Sequence, residues 1–282
     1  GCTATDVVTV NVNTTPPTVD AGPDRNLDCS VTSATIGTAA IANYDYSWSP
    51  AIGLNATNIA MPTASPAVTT IYTVTVTGPN GCTASDVVIV NVNTTPPTVD
   101  ARPDRNLDCA TTSTVIGTAG LAGNTYSWSP AIGLNASNIA QPTASPLTTT
   151  SYTVTVGGLN GCTATDVVVV EVNTTPPFAD AGPDRLIDCS TTSAIIGTAA
   201  LPGNTYSWSP ASGLSATNVA QPTATPNVTT AYTVTVTGAN GCTSTDVVVV
   251  TVNVGLPVAD AGPDQTIDCH ILSVQLGTVS VP

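Results

Sequence analysis

The chain copies itself every 80 residues. Gly-Cys stands at Gly1-Cys2, Gly81-Cys82, Gly161-Cys162 and Gly241-Cys242. Asp-Cys stands at Asp28-Cys29, Asp108-Cys109, Asp188-Cys189 and Asp268-Cys269, and YSWSP begins at Tyr46, Tyr126 and Tyr206. Every spacing is 80, with no insertion or deletion. Self-similarity at a fixed period means one unit repeated in tandem, and it governs every other reading of the sequence. Three full modules are expected at 16–95, 96–175 and 176–255. Residues 1–15 read as the last strand of a preceding module and 256–282 as the start of a following one. The chain opens in mid-pattern, without a signal peptide, and is read as a piece of a longer array.

Within a module the pattern is β. IYTVTV at 71–76 puts Tyr72, Val74 and Val76 on one face and Thr73 and Thr75 on the other. SDVVIVNV at 85–92 is apolar on both faces and is expected to be a well-covered strand. GPNG at 78–81 joins these two as a hairpin. ATIGT at 34–38 and YDYSW at 44–48 are two further strands, and ASPAVTT is turn-rich. No window carries a helical stripe. About seven short strands in such a module, with turns every 8–12 residues, predict an antiparallel β-sandwich. The fold class expected is therefore all-β: tandem Ig-like sandwich modules arranged as an extended rod.

Two features sharpen the sandwich. Trp48, Trp128 and Trp208 fall where a central third strand places a core tryptophan. Tyr72, Tyr152 and Tyr232 open the penultimate strand with an apolar residue two places on, as in a tyrosine corner. The position of the usual core cysteine is Val74, so no core disulfide is expected. These six aromatics are read as core residues, in preference to an aromatic platform for sugars.

The stretches AGPDRNLDC, YSWSPAIGLNA, YTVTVTGPNGCTASD and VVIVNV resemble the PKD-like or Ig-like tandem repeats of Bacteroidota cell-surface proteins. The resemblance covers essentially the whole chain. It implies a segment of a very large adhesin, similar to the gliding-motility adhesins exported by the type IX system. WSPAIGL stands where PKD domains carry WDFGDG, so "PKD-like" is the closer description.

Composition excludes several functions. Eighteen acidic residues face four arginines and no lysine, for a net charge of −14. That balance opposes nucleic acid and anionic membrane surfaces as partners. No run of about 18 apolar residues is present to insert into a membrane. The single histidine, His270, has Ser30, Ala110 and Ser190 as its counterparts, so no nucleophile–histidine–carboxylate set recurs and no enzyme is expected. Lacking lysine, the modules have no route to lysine–asparagine isopeptide bonds, and cysteine is the only crosslinker left.

Eight cysteines in this composition point to an exported, oxidising setting. No CxxC or other metal spacing occurs. In an Ig-like module, Cys29 stands at the downstream turn and Cys82 at the upstream hairpin, roughly 30 Å apart at about 3.3 Å per residue. Disulfide Cα atoms lie within about 7 Å. Cys82 and Cys109 are further apart still, roughly 70 Å along an extended path. The poles that face each other put Cys29 with Cys162 and Cys109 with Cys242. Cys2, Cys82, Cys189 and Cys269 are then left for adjoining modules or other chains. Pairing inside a module, Cys29 with Cys82 and its copies, remains an alternative, as do bonds between separate chains.

The aspartates of AGPDRNLD recur at spacing four. Asp20, Asp24, Asp100, Asp104, Asp180 and Asp184 are weak calcium candidates, because side chains about 13 Å apart along a strand do not share one shell of 6–8 oxygens. Solvated or turn-capping roles are preferred, and no cofactor is expected. Arg102 replaces the glycine of AGPD in one copy, which implies that a positive φ is not required there. The leading functional expectation is the stalk of an extracellular, cell-surface adhesin or filament. Its partners would be further copies of its own repeat along the chain, or other chains in a fibre. Repeats that themselves bind glycans through their loops, and lateral self-assembly, are the alternatives.

Overall fold

The computed structural model of the chain describes residues 1–255, 259–271 and 273–277. The remainder of the expected partial module at 256–282 lies outside the described residues. The chain divides into two compact units. One comprises Gly1–Leu107 with Thr112–Val172, the other Asp108–Thr111 with Asn173–Pro282.

Each module uses six strands. In module 1 these are β1 (Arg25–Asp28), β2 (Ala34–Thr35), β3 (Asp45–Ser49), β4 (Thr63–Ala64), β5 (Thr70–Thr77) and β6 (Thr83–Asn93). Module 2 repeats them as β7 (Arg105–Asp108), β8 (Thr114–Val115), β9 (Thr125–Ser129), β10 (Thr143–Ala144), β11 (Thr150–Gly157) and β12 (Thr163–Asn173). Module 3 does so as β13 (Arg185–Asp188), β14 (Ala194–Ile195), β15 (Thr205–Ser209), β16 (Thr223–Ala224), β17 (Thr230–Thr237) and β18 (Thr243–Asn253). One sheet runs β1-β6-β5-β3, and a two-stranded sheet, β2-β4, lies opposite it. The other modules copy this order. The modules are thus tandem β-sandwiches, and no helix long and apolar enough to cross a membrane occurs among the described residues.

The pairing departs from the expectation in two places. β1 pairs parallel with β6, Arg25 opposite Val90 and Asp28 opposite Asn93, so the sheet is antiparallel except at that edge. The expected seventh strand is absent from the described residues. Between β3 and β4, Pro50, Gly53 and Pro62 punctuate the chain, and Leu54 makes only an isolated bridge to Ala64 of β4.

Alternation decides the core. Tyr72, Val74 and Val76 of β5, Val88 and Val90 of β6, and Trp48 of β3 pack with Leu27, Ile36 and Ala64. The matching residues fill the cores of modules 2 and 3 around Trp128 with Tyr152 and Trp208 with Tyr232. β6 is not covered on both faces. Val87 is 55% exposed while Val88 is fully buried, because an antiparallel sheet needs cover on one side only. The tryptophans donate through Nε1 to the carbonyls of Ile59, Ile139 and Val219 at 2.9 Å.

The tyrosines are not tyrosine corners of the usual kind, in which the hydroxyl returns to backbone a few residues upstream. Tyr72 reaches back 20 residues, donating to Ile52 O at 2.6 Å, and Tyr152 and Tyr232 donate to Ile132 O and Ser212 O at 2.7 Å. Each hydroxyl thereby ties β5, or its copy, to the irregular segment after the tryptophan strand. Burial raises the Tyr72 hydroxyl above its ordinary pKa of 10.0; a hydrogen bond with Thr70 partly offsets the shift.

The AGPD turn corrects another expectation. Arg102 has φ +73°, close to the +79° of Gly22 and +76° of Gly182. The turn keeps its left-handed geometry because the Asp100 Oδ1 accepts the Arg102 N–H at 2.8 Å, as Asp20 accepts that of Gly22. Arg102 therefore carries a left-handed cost of about 1–2 kcal/mol. Arg102→Gly removes it and adds about 0.5–1 kcal/mol of unfolded-state entropy. The expected net result is a gain of about 0.5 kcal/mol for module 2, read as a higher urea midpoint with unchanged slope. A lowered midpoint would contradict the assignment.

Candidate functional site: the stapled module joint

The joint is assembled from a turn, a linker and a hairpin. In module 1 the turn follows β1. Asp28 N donates to Val31 O at 2.8 Å, and the N–H groups of Ser30 and Val31 donate to Asp28 Oδ1 at 2.8 and 2.7 Å. This aspartate-capped loop holds Cys29 at its tip. In module 2 the hairpin between β11 and β12 is closed by Gly158 N on Cys162 O at 2.9 Å and Gly161 N on Gly158 O at 3.0 Å. The turn and the hairpin meet. Cys29 is bonded to Cys162, with Cα atoms 5.0 Å apart across a sequence separation of 133. Beside the bond, Cys29 N donates to Asn160 O at 3.1 Å.

Asn160 organises the rest. Its Nδ2 donates to Thr95 O at 2.9 Å, Asn93 O at 3.2 Å and Asn93 Oδ1 at 3.3 Å, all in the linker leaving β6. Its Oδ1 accepts from Cys162 N at 3.2 Å. One side chain thus grips the linker with its donor end and the half-cystine backbone with its acceptor end. Gly161 next to it has φ +69°, and a Cβ there would collide with the Ser30 hydroxyl. Glycine is required both for the backbone angle and for the close approach of the turn. A cleft of about 610 Å³ lies beside the joint, lined by Asn26, Asn91, Asn93, Leu121 and Leu159 among others.

The second unit repeats the arrangement. Cys109 is bonded to Cys242 with the same 5.0 Å Cα spacing and the same separation of 133. Cys109 N donates to Asn240 O at 3.1 Å, and Asp108 Oδ1 accepts from Ala110 N and Thr111 N. Asn240 Nδ2 donates to Thr175 O at 2.9 Å and to both oxygens of Asn173 at 3.2 Å. Asn80 makes the same linker contacts to Thr15 at 3.0 Å and Asn13 at 3.3 Å. Cys162 and Cys242 are buried. Cys82 is half-buried and unbonded, and Cys2, Cys189 and Cys269 are exposed and unbonded.

The calcium candidates accept backbone hydrogen bonds. Asp20, Asp100 and Asp180 each accept through Oδ1 from the second residue on, at 2.8 Å. Asp24, Asp104 and Asp184 accept from the backbone of Ile89, Val169 and Val249 at 2.8–2.9 Å, 65 residues away. They stitch the first segment of each module to its last strand. No group of three or more His, Cys, Asp or Glu suited to a metal occurs among the described residues. Sequence reasoning considered residues of the Asn80 type, Asn160 among them, only as calcium ligands with Asp104; it found neither the linker grip of Asn160 nor Asp86. The latter accepts Ala21 N at 2.8 Å, as Asp166 and Asp246 do in the other modules. Their only sequence signal is recurrence at 80, which most residues of the repeat share.

No protein-family model and no curated protein sequence matches the chain. Similar solved structures include three sets of extracellular tandem domains. Drosophila OTK extracellular domains 3–5 share 10% identity over 83% of this chain and 95% of that one, with a TM-score of 0.34. Mouse cadherin-23 EC22–24 shares 13% over 83% and 96%, with a TM-score of 0.38. Sidekick-1 immunoglobulin domains 1–5 share 12% over 83% of this chain and 58% of that one, with a TM-score of 0.32.

Asn160→Asp tests the linker grip. It keeps the acceptor for Cys162 N and turns the donor end into a carboxylate oxygen facing the oxygens of Asn93 and Thr95. The expected cost is about 1–3 kcal/mol of local stability, seen as roughly 10- to 100-fold faster amide exchange at Cys29 and Cys162. Unchanged exchange would show that the contacts hold nothing.

Proposed function

We propose that this chain is a load-bearing segment of an extracellular stalk, the shaft of a long adhesin or filament in which modules stapled in series resist bending and pulling. The observation that carries this reading is the Cys29–Cys162 bond, closed beside a linker that Asn160 also grips. Two folded modules on one flexible linker hinge by default. Here residues 94–97 are Thr-Thr-Pro-Pro. The prolines fix φ, and Pro96 restricts the residue before it. A disulfide at a second point converts a hinge into a two-point attachment.

The covalent topology favours the same reading under load. Force entering through residues 1–29 passes directly to Cys162 and bypasses the residues between. A local opening within those residues therefore does not lengthen the chain without limit. Disulfides of this kind persist in oxidising compartments, which supports an extracellular location. Uniform modules suit a spacer, where position along the shaft does not matter. The resemblance to the repeats of surface adhesins points the same way. In this reading each module adds roughly 35–40 Å.

Electron micrographs of the chain before and after reduction test the proposal. Straight particles more than about 100 Å long are expected from three modules of that length, with a clear broadening of the bend angle once the disulfides are cut. Equal bending in both states, together with specific retention on a glycan array, would replace the shaft by a multivalent binder.

A further inference from the structure

Asn160 and Asn240 carry a chemistry that their grip on the linker does not use. Asn-Gly occurs three times in the chain, at 80–81, 160–161 and 240–241, each time in the hairpin that leads into the last strand of a module. An asparagine before glycine is able to close on itself. Gly161 has no Cβ to keep its backbone nitrogen away from the side-chain carbonyl carbon of Asn160. The site is half-equipped for that attack. Asn160 Oδ1 accepts the Cys162 N–H at 3.2 Å, and Asn240 Oδ1 accepts the Cys242 N–H at the same distance. Such a donor stabilises the negative charge that the oxygen gains as the nitrogen adds.

The closed joint opposes the reaction at three points. The attacking nitrogen is occupied, since Gly161 N donates to Gly158 O and Gly241 N to Gly238 O, both at 3.0 Å. The leaving nitrogen is held, because Asn160 Nδ2 donates to the oxygens of Asn93 and Thr95, and Asn240 Nδ2 to those of Asn173 and Thr175. The glycine is confined. A Cβ on Gly161 would collide with the Ser30 hydroxyl, and one on Gly241 would lie 3.0 Å from the Ala110 Cβ. The stapled turn therefore leaves neither glycine room to swing towards the side chain before it.

We infer that Asn160 and Asn240 are spontaneous deamidation sites that the staple holds unreacted, so that opening a joint starts a one-way change in its own grip. Loss of the Cys29–Cys162 bond releases turn 28–31 from Gly161 and frees the hairpin to open locally. Loss of Cys109–Cys242 does the same at Gly241. The inference is independent of the stalk reading, since it concerns the joint alone, whatever load or ligand the modules carry.

In the open hairpin the Gly161 nitrogen bonds to Asn160 Cγ. The Cγ–Nδ2 bond breaks, and ammonia leaves with the proton that the glycine nitrogen gives up. Water then opens the cyclic imide at either carbonyl and leaves aspartate or isoaspartate. The sum consumes one amide and one water and yields one carboxylic acid and one ammonia, with no other reagent. The product does not resume the grip. A carboxylate oxygen stands where Nδ2 donated to the oxygens of Asn93 and Thr95, and isoaspartate also lengthens the hairpin backbone by a methylene.

The test compares the full chain with two variants, Cys29→Ser with Cys162→Ser and Cys109→Ser with Cys242→Ser, all incubated in mildly alkaline buffer. Samples are then unfolded, reduced, thiol-blocked and cut with trypsin. Fragment 106–185 reports Asn160 and fragment 186–282 reports Asn240, through the mass gained when an amide becomes an acid, with the site located by sequencing the fragment in the mass spectrometer. The parent chain in urea gives the unprotected rate at both sites. In the folded parent both are expected to react at least about 10-fold more slowly than in urea. Removing the first staple should speed Asn160 by about 10- to 100-fold and leave Asn240 at its parent rate, and removing the second should do the reverse. The joint that each variant retains shows, by staying unreacted, that the chain is still folded. Equal rates in the parent and both variants, or both sites accelerating together in either variant, would overturn the inference.

Discussion

The constraint on which the structure depends is a covalent one: a cysteine at the tip of one turn bonded to a cysteine at the base of a hairpin 133 residues later. That separation exceeds one repeat, so each bond links successive copies and leaves the inside of a module uncrosslinked. A crosslink of this kind limits the unfolded chain by about 2–4 kcal/mol in typical cases. Its larger consequence is mechanical. Paired with the peptide linker, it gives the joint a second point of attachment, and bending or twisting about the first then has to strain the second.

The weak interactions at the joint make the strong one possible. The Asp28 carboxylate shapes the turn, Asn160 fastens the linker to the hairpin, and Gly161 removes the side chain that would keep the turn away. None is worth more than a few kcal/mol. Together they bring two thiols to bonding distance, and the bond then holds the contacts that positioned it. Below them, each module rests on a small core of one tryptophan, one tyrosine and a ladder of valines. Domains of this size bury a modest fraction of their surface, so a crosslink adds a meaningful share of stability.

Much of the fold is legible in the residues. The exact period defines the copies, and the alternation of YTVTV places Tyr72, Val74 and Val76 on the buried face. Less of the joint is legible. Strand polarity puts Cys29 and Cys82 at opposite poles, yet three pairings stay open on sequence alone, and the structure contains one of them. Asn160 is invisible because Asn-Gly in a hairpin already has a sufficient local explanation as a turn. Its grip on Thr95 depends on where another module's linker passes. Arg102 misleads for a different reason: its side chain argues against a left-handed turn, while the Asp100 carboxylate two residues earlier accepts the Arg102 N–H and holds one. The two-faced apolar run of β6 misleads because hydrophobicity reports what a strand tolerates, and only the opposite sheet decides which face is covered.

The four arginines allow a direct test of the covalent topology. Trypsin, acting on the unfolded, thiol-blocked and unreduced chain, cuts after Arg25, Arg105 and Arg185 and spares the Arg102–Pro103 bond. With Cys29 on Cys162 and Cys109 on Cys242, fragments 26–105, 106–185 and 186–282 stay together as one species and separate only on reduction. Three fragments that separate without reductant, each bridged within itself, would contradict the staple and the stiffness derived from it.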